Sequence, residues 1–504
     1  MYIFPAVVSQ GPLTGGSEDT MLENIVGQAG NQIGYQFWDL ALREHTHMRK
    51  QSLMCASTTE DSFGSFFHFD DTEHLRKWHG IHRISCKARA ILIDMEEGVI
   101  SQLLRGPIRD VFDSRQLITD VSGSGNNWAV GHKEYGLKYK ENINNLLRKE
   151  AEKCDFLQCF FILHSMGGGT GSGMGTSVLS NLSEEFPSVQ RFVVPVYPSR
   201  EDDVVISPYN AALATHQLSR FADCVLPVEN QALINICNQV SKALPRNAYS
   251  TGQTPTNISH LKQESVFTSS LGVLAKHCKE KPFDQMNNIV ANLLLNVTSF
   301  SRFPGSLNMD LNELVVNLVP YPQLHFLVSS FAPINALASG EILLRGIDNM
   351  FTEAFSPYHY LLETNPKSGL YLACALMLRG QGQIYDIRRN LNRLTHGFNF
   401  VPWNMDRWKI GLCAIPPIGH PYSLVTLTNN TCFQQNLLRM KSRFLKLYKC
   451  KAHLHHFLKV DGMESEDFET SLSCLSTLIE DYQSLDKSTA NAALFTQPRL
   501  KLFV

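Results

Sequence analysis

The chain is short of several things, and each shortage narrows its class. No apolar run approaches the ~20 residues that a bilayer-crossing helix needs; even Tyr371 to Leu378 falls well short. No membrane partner is therefore expected. Net charge is nearly absent, −2 over 504 residues from 45 Lys+Arg and 47 Asp+Glu. Proteins that bind nucleic acid normally carry a basic excess, so none is expected as a partner. Paired cysteine spacings are missing as well. The 12 cysteines are scattered, mostly inside apolar segments, and read as reduced core thiols of an intracellular protein, not as zinc ligands. Met1 to Val8 has no basic leader and contains Pro5, which argues against a secretory signal.

What is present is a phosphate loop. His164-Ser165-Met166-Gly167-Gly168-Gly169-Thr170-Gly171-Ser172-Gly173 places five glycines in seven residues after the apolar run Cys159 to Leu163 and before the helix-periodic stretch Met174 to Phe186. Strand, glycine turn and helix start together offer free N–H groups and a positive dipole end to an anion. No Lys-Ser or Lys-Thr follows the glycines, so the loop is not of the Walker type, and its spacing is not the dinucleotide fingerprint.

The context repeats. Ala90 to Asp94, Cys159 to Leu163, Arg191 to Tyr197 and Asp223 to Val228 read as strands alternating with helices, the pattern of a doubly wound parallel sheet. Ligands of such sheets sit beyond the carboxyl ends of the strands. Two more glycine turns, Gly27 to Gly34 and Gly123 to Trp128, fall where those ends should gather.

At 504 residues, 43% apolar, the chain has material for two or three cores. The expected α/β architecture is an atypical extension over 1–20, then a nucleotide-binding domain over 21–282 with an insertion at about 239–281. A buried central helix over 283–301 follows, then a second α/β domain over 302–432 with strands at Gln323 to Ser329, Leu370 to Arg379, Ile410 to Ile415 and Tyr422 to Thr428. The remainder, 433–504, reads as two antiparallel helices joined near Asp461-Gly462 and a short tail. The first of these helices is rich in Lys, Arg and His; a solvated face and an interaction surface are both open readings.

Two acidic strand ends add chemistry. Asp94-Met95-Glu96-Glu97 offers hard oxygens for Mg²⁺ beside a polyphosphate, or simply an acidic helix start. Glu201-Asp202-Asp203 offers acceptors for ribose hydroxyls, or an acidic cap.

In this order, GQAGNQIG at Gly27, GSGNNWAVGH at Gly123, GGGTGSG at Gly167, SPYN at Ser207, RFPGSLNMDL at Arg302 and LVPYPQLHF at Leu318 resemble the tubulin family. The likeness runs from about Leu22 to Leu485. Within the family, CFFILHSMGGG, NNIVANLLLN, the insertion and the lack of a glutamate-rich tail are most similar to the epsilon branch. The first twenty residues depart from the pattern. Asn24 to Gly27 also reads as a poor first strand, with Ala29 where the family usually has cysteine.

The resemblance implies GTP or GDP with Mg²⁺. Gln28 would lie by the phosphates and metal, Glu96 would hold Mg²⁺ through water, and Asn126 would touch the phosphates. Ser165, Gly167, Gly168, Gly169, Thr170, Gly171, Ser172 and Gly173 would cradle them. Asp203 would face the ribose, Asn230 and Asn287 would hydrogen-bond the base, and Phe283 would stack on it. Asp310 and Glu313 would orient water on the γ-phosphate of the next subunit, as i, i+3 acids at a helix start; without the resemblance they read as an acidic first turn. An acid at 313 is similar to alpha-tubulin, whereas beta-tubulin has lysine there.

The implied partners are other tubulins, head to tail, and centriolar proteins; the implied setting is the cytoplasm, cytoskeleton, centrosome and basal body. Two alternatives are a GTP-bound scaffold that does not polymerise and recruits centriolar proteins through the insertion and basic helix, and a nicotinamide-dependent oxidoreductase, which the glycine spacing disfavours.

Overall fold

The computed structural model describes residues 19–50, 64–69, 86–200, 202–243, 283–303, 307–334, 346–395, 397–404 and 407–495. Nearly all of the expected extension, most of the insertion, Glu201, Pro304, Gly305 and the last nine residues lie outside these. In chain order, β1 (Asp19–Val26) feeds α1 (Gly27–Lys50), and a short antiparallel pair, β2 (Phe67–Phe69) and β3 (Cys86–Ala88), precedes β4 (Ala90–Asp94). Then come α2 (Glu97–Leu103), β5 (Leu117–Thr119), α3 (Gly136–Ala151), β6 (Phe156–Ser165), α4 (Gly175–Glu185), β7 (Gln190–Tyr197), α5 (Ser207–Phe221), β8 (Cys224–Val225), β9 (Val228–Glu229) and α6 (Asn230–Ala243).

The strands form one sheet in the order β5-β4-β1-β6-β7-β8, with β9 also on β7, and every pairing is parallel. Side chains alternate between its faces with period two. Leu22, Val26, Phe160 and Ile162 pack with Leu147 of α3, Val178 of α4 and Leu213 of α5. Met21, Ile25, Phe161 and Leu163 pack with Phe37 and Trp38 of α1 on the other face. Burial on both faces is why these strands read as near-continuous apolar runs.

The first strand corrects the reading of the sequence. Far from poor, β1 is central, registered with β4 on one side and along its whole length with β6 on the other. Its polar residues, Glu23 and Asn24, are buried in the sheet. Asp223 to Val228 is two short pieces, not one strand, because Pro227 between them has no N–H to donate.

α7 (Asp284–Val297) joins the two halves. Eleven of its 14 residues are buried, eight of them apolar and the others Asn287, Asn288 and Asn296. α8 (Leu311–Leu318) then leads to a second, mixed sheet of β10 (Leu327–Ala332), β11 (Tyr371–Gly380), β12 (Trp408–Cys413) and β13 (Tyr422–Asn430), in the order β10-β13-β11-β12, with α9 (Ile347–Ala354) and α10 (Ile384–Thr395) in its connections. β10 starts four residues later than expected, since Tyr321 to Leu324 forms a turn closed by the Leu324 N–H on the Tyr321 carbonyl at 2.9 Å.

α11 (Gln434–Lys449) and α12 (Ser465–Phe495) run antiparallel, with Lys441 bonded to Ser476 and Tyr448 against Phe468. They cover α5, whose Tyr209 ring meets Phe444, Phe457 and Phe468 edge-on.

One buried charge cluster ties these parts together. Glu44 of α1 accepts from Arg302, just after α7, at 2.6 Å and from Arg379 of β11. Burial would raise the Glu44 carboxyl, but the guanidiniums of Arg379 and Arg302 outweigh it and hold it at about 2.

Candidate functional site

The carboxyl ends of β1, β4, β5 and β6 deliver their loops to one place, and glycine makes the convergence sterically feasible. Gly27 turns from β1 into α1 at φ +75°, with the Gly171 backbone so close that a Cβ would stand 3.0 Å from its nitrogen. The loop after β5 carries three left-handed residues, Gly123, Gly125 and Asn126. A Cβ at Gly169 would overlap the Asn127 backbone, and one at Gly173 the Trp128 carbonyl. These two glycines therefore let the loop after β6 seat against the loop after β5. Gly125 and Gly168 differ. A Cβ on Gly125 would meet nothing within 4 Å, and one on Gly168 only the Asn126 side chain at 3.6 Å and the Ser165 hydroxyl at 3.8 Å. They line open space, a cradle whose walls are Ser165 and Asn126.

Both loops continue into a π-helical turn, Val130–Tyr135 and Thr170–Met174. Such turns are rare and concentrate at functional sites. Further bonds lock the pair: the Ser124 and Thr170 hydroxyls lie 2.9 Å apart, and the Ser172 hydroxyl donates to the Gly168 carbonyl. Under the loop, His164 is fully buried, and burial holds its imidazole down at about 4, so it is neutral.

The sequence did not single out the residue that joins the loops. Asn210, fully buried on α5, donates to the carbonyls of Asn126 at 2.6 Å and Gly167 at 2.8 Å, and accepts from the Trp128 N–H at 3.0 Å. The SPYN motif marked its neighbourhood; a polar residue inside an apolar helix face was the available signal.

At the end of β4, Asp94 is buried and burial pushes its carboxyl up to about 7, with the backbone N–H of Glu96 pulling it partly back. Its Oδ2 has no hydrogen-bond partner. A cation at that oxygen would satisfy it. Glu96 follows, exposed, its carboxylate turned toward Gly123, where a Cβ would stand 2.7 Å from Oε1. Among the described residues no group of three or more His, Cys, Asp or Glu is placed to hold a metal. Mg²⁺ bound beside phosphates needs only one or two carboxylates with water, so this donor set suits it.

The remaining sequence candidates differ in exposure. Gln28 and Asp203 are exposed, Asn230 is half-buried at the start of α6, and Phe283, 53% exposed, precedes α7. Asn287 is buried and donates to Gln32 of α1 at 3.5 Å, bringing a second amide, one the sequence reading did not nominate, to the same spot. Asp202, next to Asp203, approaches the glycine loop: its carboxylate would stand 3.2 Å from a Cβ on Gly167.

Asp310 and Glu313 lie elsewhere. Asp310 is the extended N-cap residue of α8, not part of its helical face, and it accepts from Gln158 near the start of β6. Burial raises its carboxyl and the Leu311 N–H partly offsets this. Glu313 is paired with Lys409 of β12 at 2.8 Å. From Gln158 to Ser165 the strand advances seven residues, roughly 23 Å at ~3.3 Å each. The two acids therefore stand at the opposite pole of the sheet from the glycine cradle.

Comparison with known proteins agrees with this geometry. Residues 25–238 match the Tubulin/FtsZ family GTPase domain, and 322–442 match the Tubulin C-terminal domain. A tubulin epsilon chain of Homo sapiens is 54% identical over 480 residues, covering 95% of this chain and 98% of that protein; one of Mus musculus is 53% identical with the same coverage. A tubulin beta-4 chain of Zea mays is 31% identical over 92% of this chain and 95% of its own length. With a nucleotide-type cradle on a parallel sheet, both family domains in register with its two halves, and relatives matched nearly end to end, this chain belongs to the tubulin family.

Proposed function

We propose that the cradle holds GTP or GDP with Mg²⁺, and that hydrolysis is completed only when a second subunit stacks on it, presenting its own Asp310 and Glu313. GTP or GDP binding itself follows from the family; the residue roles and the shared site are the proposal. Loop N–H groups around Gly168, with Ser165 and Asn126, would take the phosphates, and Asn287 with Gln32 and Asn230 the base, with Phe283 stacked on it and Asp203 toward the ribose. Asp94 and Glu96 would hold Mg²⁺, which when bound neutralises developing phosphate charge.

The observation that carries this reading is the separation of the acids from the cradle. A carboxylate roughly 23 Å away cannot orient water in its own pocket, whereas in-line stacking brings one pole of a subunit onto the other pole of the next. Such a contact is heterologous and propagates unless it closes. Glu313, paired with the half-buried Lys409 but itself half-open to solvent, remains available to a neighbour.

In the cell we place this activity in the cytoskeleton, as a structural component of centrioles and basal bodies, with other tubulins above and below it. The test is Glu313→Ala in purified protein: bound nucleotide unchanged, assembly-dependent phosphate release down at least ~10-fold. Unaltered release would refute the shared site.

A further inference from the structure

The turn between α11 and α12 carries a concentration of charge that the nucleotide site does not use. From Lys446 to Lys459 there are four lysines (446, 449, 451 and 459) and three histidines (453, 455 and 456), with no acidic residue. All seven are exposed, and among the described residues none of them makes an ion pair. The basic residues further back on α11 are different: Arg439 is spent on Glu363, and Lys441 on Ser476. The imidazoles crowd together, His455 and His456 at 4.0 Å between ring centroids and His453 and His456 at 6.0 Å. His455, then desolvation, then Lys459 and His453, hold the His456 imidazole below its ordinary value.

The turn is rigid. Asn127 donates to the His456 carbonyl at 3.0 Å and Tyr209 to the Ala452 carbonyl at 3.0 Å, while Leu454 and Phe457 are buried beneath it. Lys451 and His453 both take left-handed backbone, at φ 49° and 58°, which non-glycine residues adopt at a cost. A surface fixed in this way loses little freedom on binding a partner.

We infer that this turn is a docking surface for a short acidic segment of a partner protein, one that also carries an apolar side chain. The footprint sets the length: Asp461, Glu464 and Glu466 follow directly and are exposed, so a long polyanion such as a nucleic acid or an anionic membrane would meet like charge at the edge. The apolar requirement comes from Leu458, 40% exposed between the histidines and Lys459.

The experiment is fluorescence anisotropy of the full-length, nucleotide-loaded protein with a labelled glutamate-rich peptide carrying one leucine, at physiological salt. Binding should be saturable, should weaken at least ~10-fold in Lys449→Glu/Lys451→Glu and in the separate variant Lys459→Glu, and should vanish for the same peptide with glutamines. Leu458→Ser should weaken it about threefold. Thermal melts matching the parent establish that the variants are folded. Equal peptide affinity in the folded charge-reversal variants overturns the proposal, as does tighter binding of a single-stranded oligonucleotide or of phosphatidylserine vesicles than of the peptide.

Discussion

The side-chain amide of Asn210 donates to the backbone carbonyl of Asn126 at 2.6 Å, holding a left-handed residue of one loop in the conformation the other loop requires. With its bonds to Gly167 and Trp128, this one residue fixes the relative position of both walls of the cradle. Asn210→Ala would leave buried carbonyls and an N–H without partners, at about 1–3 kcal/mol for each unsatisfied group. We expect nucleotide release to accelerate by at least ~10-fold, read by displacement of a fluorescent GDP analogue, together with a clear fall in melting temperature.

Asp94 gives a separate handle on the metal. Its unpartnered buried oxygen is the group a cation would satisfy. Asp94→Asn should leave the fold intact and remove most of the effect of Mg²⁺ on nucleotide retention, whereas Glu97→Gln, at an exposed position in the first turn of α2, should leave that effect unchanged. Dissociation rates measured with Mg²⁺ and with EDTA distinguish the two; the same Mg²⁺ dependence in Asp94→Asn and the parent would remove Asp94 from the site.

Glycines in the domain divide by what surrounds them. A methyl group at Gly30 would overlap the Leu163 carbonyl and push α1 off β6, so Gly30→Ala should cost about 1–3 kcal/mol. Gly98, inside α2, has nothing within 4 Å of a Cβ and no unusual backbone. Gly98→Ala should be neutral or stabilise by roughly 0.5–1 kcal/mol through helix propensity. Urea denaturation of both variants checks the contrast.

The buried acid predicts a pH profile. Glu44 sits at about 2 when folded, below its ordinary 4.5, so its contribution is fully present above about pH 4.5 and is lost as pH falls toward 2. Glu44→Ala strands two buried guanidiniums and should cost ~3–5 kcal/mol at neutral pH. Part of the acid-induced loss of stability should be absent in Glu44→Gln, measured by chemical denaturation between pH 3 and pH 7.

The order of elements was largely legible in the sequence because the core strands of a two-sided parallel sheet are apolar throughout: β4, β6 and β7 stood out by composition alone. β1 did not, since Glu23 and Asn24 look like surface residues until neighbouring strands cover them. In the site, the glycine loop announced itself by its spacing. Asn210 and Gln32 did not, because their importance comes from what tertiary contact puts opposite them: two carbonyls and another amide. Asp94 stood in the sequence as one member of an acidic strand end; that its buried oxygen has no partner shows only in the fold. For Asp310, sequence spacing suggested a shared helix face with Glu313. The N-cap conformation and Gln158 turn it toward the sheet instead.

Arg302, Glu44 and Arg379 belong to three different parts of the chain, yet only in the assembled molecule do their charges have partners. If either half melted alone, the half still standing would lose at least one of the cluster's ion-pair partners. A species with one half intact is therefore penalised, and the two halves should share a single melting transition.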